Sequence, residues 1–230
     1  MLLKHMMNKT IWPSAEAAAG MVESGMTVGL GTGRAAKMFV RALARRVEKG
    51  LSIKAIPTSM ATEELAEDLG LRLVTFSETL QIDIDVDGAD EVDPYLNLIK
   101  GHGGALLRER VVASVSKLFV VLVGEDKMVP FLGAKKAVPV EVVPFAVDVV
   151  AKRLREIGAD VELRIKDGSP FESDNGNQIL DARFGTIDDV GELALQIGRL
   201  PGVVDNGLFV GMADVVLVQE GETFRKLIRS

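Results

Sequence analysis

Asp87, Asp90, Lys100 and Glu109 are the side chains in this sequence best suited to moving or stabilising a proton, and each sits where neighbouring residues suggest a site. The run Ile82-Asp83-Ile84-Asp85-Val86-Asp87 alternates strictly. A strand here sends Ile82, Ile84 and Val86 to one face and three aspartates to the other. Like charges on one face repel, so at least the last acid should have a task, and Gly88-Ala89-Asp90-Glu91 follows at the strand end, where ligands sit in open α/β sheets. A charged face of an edge strand is the plainer reading. A calcium loop is a rival, because Asp83 to Gly88 copies its first half, but its twelfth place needs a glutamate and holds Pro94.

Lys100-Gly101-His102-Gly103-Gly104 is a backbone-permissive loop with a cation beside it, able to approach an anionic oxygen closely. The helix expected next, over 105–114, repeats Ala105, Glu109 and Ala113 every four residues, so Glu109 projects among small neighbours that leave room for a ligand. Leu107, Val111 and Val115 read as the adjacent packing stripe, and Arg108 and Arg110 as solvated charges. His102 is either an acid or base, or a hydrogen-bonding spacer. Lys127 places another cation at a strand end, after Gly124-Glu125-Asp126. The turn Gly29-Leu30-Gly31-Thr32-Gly33-Arg34 leads from a strand into a helix, the local geometry of an anion site. It is not a dinucleotide fingerprint, since Ala36 stands where a third glycine is wanted and Ala55-Ile56-Pro57 where an acid should end the next strand.

Strand-like runs at 27–30, 51–56, 71–74 and 82–86 alternate with helical patterns at 35–49 and 61–69, which predicts a parallel sheet flanked by helices. The first helix aligns Ala35, Phe39, Leu43 and Val47 on one apolar face. The segment 118–123 is almost wholly apolar and reads as a central strand buried on both faces. From about Val138 the pattern changes to a helix at 145–157, a strand at 161–165, an Asp174-Asn175-Gly176-Asn177 turn, a strand at 178–184 and a helix at 187–199. That order suggests a small inserted α+β domain, after which 207–210 and 215–218 rejoin the main one.

Acidic residues outnumber basic ones, 33 to 27, without a basic patch, which disfavours nucleic acid as a partner. Cysteine is absent, which removes disulfide and thiolate chemistry and agrees with a reducing compartment. His5 and His102 are the only histidines, too few for a histidine-based metal site. Residues 1–10 are too interrupted for a signal peptide, and no apolar run approaches the roughly 20 residues of a membrane span, so a cytoplasmic protein without membrane association is expected. Asn8-Lys9-Thr10 is read as a chance glycosylation match.

Taken in order, the first glycine turn, Pro57-Thr58-Ser59, Asp87-Gly88-Ala89-Asp90-Glu91, the run from Lys100 to Glu109, and Asp174-Asn175-Gly176-Asn177 resemble the type A ribose-5-phosphate isomerases. Val138 to Val142 and Leu200 to Val203 resemble the ends of that family's smaller domain. The resemblance implies an α/β fold: a Rossmann-like parallel-sheet domain over 1–133 and 205–230, with a smaller α+β, ferredoxin-like lid over 134–204. It implies Glu109 as the base, Lys100 as the cation offsetting charge on an enediolate oxygen, and Asp87 and Asp90 as acids for sugar hydroxyls, ring opening and oxygen protonation. It further implies sugar-phosphate contacts from Thr32, Gly33, Arg34, Ala35, Gly88, Ala89, Gly101, His102, Gly103 and Lys127, no metal or cofactor, and a homodimer or homotetramer. Arg34 and Ala35 stand where the family carries serine and threonine, His102 replaces a glycine, and the first-helix lysine has no counterpart. Activity on another sugar phosphate, or sugar-phosphate binding without turnover, are the alternative readings.

Overall fold

The computed structural model describes residues 12–229. His5 and the Asn8-Lys9-Thr10 tripeptide lie outside them. After helix α1 (Pro13–Gly20), the chain alternates β1 (Thr27–Leu30), α2 (Arg34–Val47), β2 (Lys54–Pro57), α3 (Met60–Asp68) and β3 (Ile84–Gly88). Two short strands, β4 (Glu91–Val92) and β5 (Leu98–Ile99), precede α4 (Leu106–Ser114) and β6 (Phe119–Gly124). The next elements are β7 (Val138–Val142), α5 (Val147–Glu156), β8 (Asp160–Leu163), a minimal hairpin of β9 (Ile165–Lys166) and β10 (Ser169–Pro170), β11 (Gln178–Arg183), α6 (Val190–Gly198) and β12 (Val203–Asn206). The chain ends with β13 (Leu208–Phe209), β14 (Val215–Glu220) and β15 (Thr223–Ile228).

The main sheet has the order β15-β14-β6-β3-β1-β2. Every neighbouring pair is parallel except β14 with β15. This is the expected α/β class with a mostly parallel sheet. Alternation sorts its side chains. Val28, Leu30, Ile84, Val86, Val120 and Leu122 pack with Ala15, Ala18, Phe39 and Leu43 of α1 and α2. Phe119, Val121, Val123, Val216 and Val218 pack on the other face with Ala113 and Phe209. The second sheet, β12-β7-β11-β8, is antiparallel and carries α5 and α6, so its chain order is βαββαβ, the ferredoxin-like arrangement expected. Asp189 caps α6 by accepting the Glu192 N–H at 2.9 Å, which starts that helix three residues later than the 187–199 reading.

Two sequence expectations are corrected, the strand at 71–74 and the packing stripe of α4. The 71–74 strand reduces to one bridge, Ala55 with Leu73, at the sheet edge beside β2. The 207–210 segment returns as β13, which pairs with β5 in a small antiparallel trio, β13-β5-β4. The 215–218 segment joins the main sheet as expected, between β6 and β15, and β15 pairs along its whole length. On α4 the buried residues are Leu106, Glu109, Val112 and Ala113, whereas Val111 and Val115 are exposed. At about 100° per residue, positions two apart lie on opposite sides of a helix, so a face holding Ala105, Glu109 and Ala113 inward turns Leu107, Val111 and Val115 outward.

Gly29 and Gly31 on β1 have a packing task set by β3. They lie on the face where Asp85 and Asp87 point, and both carboxyls are fully buried there. A Cβ on Gly29 would lie 2.5 Å from Asp85 Oδ1 and 2.7 Å from Val112 Cγ1. A Cβ on Gly31 would overlap the Asp87 carboxyl and come within 2.5 Å of its Cα. At Gly31 one obstacle is backbone, the Asp87 Cα, which cannot swing aside. Gly31→Ala is therefore expected to lower stability by about 1–3 kcal/mol through overpacking. The measurement is the urea midpoint at unchanged slope; a variant as stable as the parent would show that β1 and β3 can spread.

Candidate active site

The carboxyl ends of β1, β3 and β6 open on one cavity of about 460 Å³, lined by Thr32 to Ala35, Gly88 to Asp90, Lys100 to Gly103, Glu109, Gly124, Asp126 and Lys127 among others. Its place follows from topology. From β1 the chain steps outward to β2, then returns to the other side of β1 as β3, and a crevice forms where the strand order reverses.

Lys100 forms the floor. It follows β5 and is held by its N–H donating to the Gly207 carbonyl at 2.9 Å. Its side chain is 2% exposed, over the Phe209 ring. The ammonium lies 2.9 Å from Asp87 Oδ2 and 3.4 Å from Glu109 Oε1, and donates to the Gly88 carbonyl at 2.5 Å. Burial alone would push the lysine down, but the Asp87 and Glu109 charges outweigh it and hold Lys100 above its ordinary value, fully protonated. Glu109 is pushed well above the usual carboxylate range, first by burial and then by the Asp87 charge, with Lys100 opposing. Such a carboxyl takes up a proton more readily than an exposed glutamate. Asp87 Oδ1 accepts the Thr32 and Gly88 N–H groups at 2.9 and 2.7 Å, tying the first turn to β3.

The remaining expected residues gather around this floor. Asp90 is partly buried and accepts the His102 N–H at 2.9 Å. The imidazole of His102 is exposed and only its backbone is engaged, which favours the spacer reading. Gly33 has φ of +97° and caps α2, so the turn needs glycine there. Arg34 opens α2 at the mouth, its guanidinium 5.3 Å from the Trp12 ring centre. Lys127 also faces the cavity, 3.3 Å from Asp126 Oδ2. Ala35, Gly88, Ala89, Gly101 and Gly103 all contribute to the lining.

The structure separates the three aspartates that share a face in the sequence. Asp83 lies outside the site, where the Lys117 hydrogen bond and then the Thr27 N–H hold it below the usual carboxylate range. Asp85 is fully buried in a strand with neither oxygen hydrogen-bonded, so neither the edge-strand nor the calcium-loop reading fits. Arg108 and Arg110 are not free surface charges. Arg108 Nε bonds Asn175 Oδ1 at 3.0 Å, and Arg110 forks onto Asp205 at 2.7 and 2.8 Å while stacking 4.1 Å from Phe209. Sequence reasoning gave no role to Trp12 or to the hydroxyl cluster in which Thr32 Oγ1 meets Thr58 Oγ1 and Ser59 Oγ, each at 2.8 Å. The cluster's signal was the Thr58-Ser59 pair just after β2; Trp12, the only tryptophan, gave none beyond its rarity.

Asp85 makes a pH-dependent contribution. Burial, then the neighbouring Asp87 charge, raise its carboxyl well above 3.8 in the folded chain, while the unfolded chain releases the proton near that value. The folded state thus binds more protons, and stability is lost progressively as pH rises above about 3.8. Asp85→Asn removes this loss, so it is expected to be more stable than the parent at pH 7, with the gap closing toward pH 4. Urea midpoints across that range test it, and an asparagine variant weaker at every pH would mean that Asp85 is ionised and paired.

Residues 54–223 match the family model described as ribose 5-phosphate isomerase A (phosphoriboisomerase A). The ribose-5-phosphate isomerase A of Thermosynechococcus vestitus is 48% identical over 210 residues, covering 90% of this chain and 89% of that protein. Among solved structures, ribose 5-phosphate isomerase A from Methanocaldococcus jannaschii superposes with a TM-score of 0.90 at 43% identity, covering 94% of this chain and 96% of that one. A D-ribose-5-phosphate isomerase in complex with phospho-erythronic acid gives a TM-score of 0.91 at 39% identity, with the same coverage.

Proposed function

The chain belongs to the ribose-5-phosphate isomerase A family and carries its isomerase activity on a sugar phosphate, and we propose that Glu109 is the base that moves the proton. The observation that carries this assignment is the burial of the Glu109 carboxyl beside a permanent ammonium on the floor of the cavity. Interconverting ribose 5-phosphate and ribulose 5-phosphate shifts a proton between adjacent carbons through an enediol. Glu109, ionised, takes the proton from C2 of the open-chain aldose and returns it to C1. Negative charge then builds on the carbonyl oxygen, where a fixed ammonium such as Lys100 stabilises it without reorganising. Asp90 binds the sugar hydroxyls and passes the oxygen-bound protons, while Asp87, fully buried behind the cavity wall, holds the Lys100 ammonium in place. The phosphate lies at the mouth, against the N-terminus of α2, Arg34 and Lys127, with backbone amides of Thr32 and Gly33.

A relative's structure holds phospho-erythronic acid, a molecule that joins a phosphate to a carboxylate, which supports a sugar phosphate as the substrate class. Residues 134–204 act as the smaller lid unit. The assembly is a cytoplasmic homodimer or homotetramer; the lack of cysteine fits a reducing compartment, and the exposed Phe145 and Val149 supply apolar surface for an interface.

Chelator-treated protein is expected to convert ribose 5-phosphate to ribulose 5-phosphate, and Glu109→Gln to lose about 10²–10⁴-fold in kcat, the usual worth of a positioned base. The parent's kcat/KM should fall on the acid side at a pH well above the ordinary glutamate value, because Glu109 must be ionised to act. Full turnover by the glutamine variant would remove Glu109 from the mechanism. Arg34 gives a separate check: Arg34→Ala should raise KM about 10- to 100-fold, the worth of a charge-assisted bond, with kcat held. An unchanged KM would place the phosphate elsewhere.

A further inference from the structure

The loop that follows Lys100 is gripped from the second sheet. Gly101 to Gly104 form a turn closed by the Gly104 N–H on the Gly101 carbonyl at 3.0 Å, with φ of +97° and +84° at its two ends. Arg164, between β8 and β9, reaches this turn with one face of its guanidinium while the other is anchored. Its Nε donates to Asp181 Oδ2 at 2.9 Å and its Nη2 to Asp181 Oδ1. Its Nη1 donates to the carbonyls of Gly101 at 2.8 Å and His102 at 3.1 Å. The Phe171 ring, 5.8 Å from the same guanidinium, lies against Gly104 so closely that a Cβ there would overlap it. Beside this grip, Asp174 Oδ2 accepts the Met60 N–H at 2.7 Å, fastening the Asp174-Asn175 turn to the start of α3.

A planar trans peptide points its carbonyl and its following N–H in opposite directions. The 101–102 peptide, with its carbonyl on Arg164, therefore sends the His102 N–H away, and Asp90 Oδ2 receives it. The 102–103 peptide is held by the same nitrogen. Its Gly103 N–H points away from Arg164, Gly103 lines the cavity, and this N–H has no partner among the described residues. A donor without a protein acceptor, at the edge of a site that binds an oxygen-rich molecule, awaits an oxygen of that molecule.

We propose that Arg164, anchored by Asp181, is a positioning residue for the isomerase: by capturing the Gly101 and His102 carbonyls it aims the Gly103 N–H at an oxygen of the bound sugar phosphate. The inference rests on the function proposed above and deepens it, because it makes substrate binding depend on a residue of the second sheet. Lysine cannot replace this arginine fully. Holding both Asp181 oxygens and two carbonyls at once takes the flat, multi-donor fork, whereas a lysine offers a point charge.

The test compares Arg164→Ala, Arg164→Lys and the parent by ribose 5-phosphate kinetics and thermal midpoint, with sub-denaturing guanidinium added to the alanine variant. The expected result is a KM raised about tenfold in the alanine variant, the worth of one well-placed hydrogen bond. It should come with a smaller change in kcat, an intermediate KM for lysine, and partial recovery of KM with guanidinium. An unchanged KM overturns the proposal, as does a joint loss of KM, kcat and thermal midpoint in both variants without guanidinium recovery, which is the mark of a merely structural contact. Should the alanine variant fail to fold, the lysine variant decides: KM raised at an unaltered midpoint supports the proposal, and parental kinetics overturn it. A folded parent that does not turn over ribose 5-phosphate would instead overturn the functional reading, a result distinct from any outcome in the variants.

Discussion

A single ammonium group, that of Lys100, is sealed under a cavity and shared between two carboxyls, and much of the neighbouring structure answers to that burial. An amine taken out of water needs partners for its charge and its donors, and here these are the Asp87 and Glu109 carboxyls as ion pairs and the Gly88 carbonyl as a hydrogen-bond acceptor. Removing one partner of such a buried cluster typically costs about 3–5 kcal/mol. The flanking packing follows. Two glycines on β1 vacate the volume that the β3 carboxyls occupy, and α4 turns Glu109 inward at the expense of exposing Val111 and Val115. Phe209 supplies a flat base beneath Lys100 and Arg110.

The same burial equips the site for reversible proton transfer. Glu109 holds its proton more firmly than a surface glutamate because water is excluded and Asp87 lies near, yet Lys100 limits that rise. A carboxyl raised in this way binds a proton more readily than a surface glutamate, the property that the proposed base of an aldose–ketose interconversion needs. Charge is arranged by depth. The carboxyls and Lys100 lie on the floor, while Arg34 and Lys127 stand at the mouth with the glycine turn. A phosphate held at the mouth leaves the far end of an open-chain sugar over the floor, so binding energy from the phosphate aligns the reacting carbons.

The second sheet contributes more than a cover. Its Arg164 and Phe171 hold the loop that begins at Lys100, and Asp174 and Asn175 meet α3 and Arg108. The Asp174-Asn175-Gly176-Asn177 turn is itself ordered by the fully buried Glu141, which accepts from Ser173 Oγ at 2.8 Å and from the Asn175 and Asn177 amides at 3.1 and 2.9 Å. The loop after Lys100 and the start of α3 are thus tied to a polar network rooted in the second sheet.

The linear sequence determined the α/β class, most of the strands and helices, and many of the residues that line the cavity, though Asp87 is buried behind it and Trp12 was not foreseen. Those features are written locally: period-two alternation in 82–87, the four-residue spacing of Phe39 and Leu43, and glycines at positive-φ turns such as Gly33 and Gly101 all act within a few residues. The tertiary structure alone decided what depends on distant partners. Asp83, Asp85 and Asp87 are equivalent by alternation, yet Lys117, Gly29 and Lys100, brought from elsewhere in the chain, give them three different environments. The facing of α4, the pairing of β15, the placing of Trp12 beside Arg34 and the reach of Arg164 to the loop after Lys100 likewise arise from contacts between remote segments, and no local spacing encodes them.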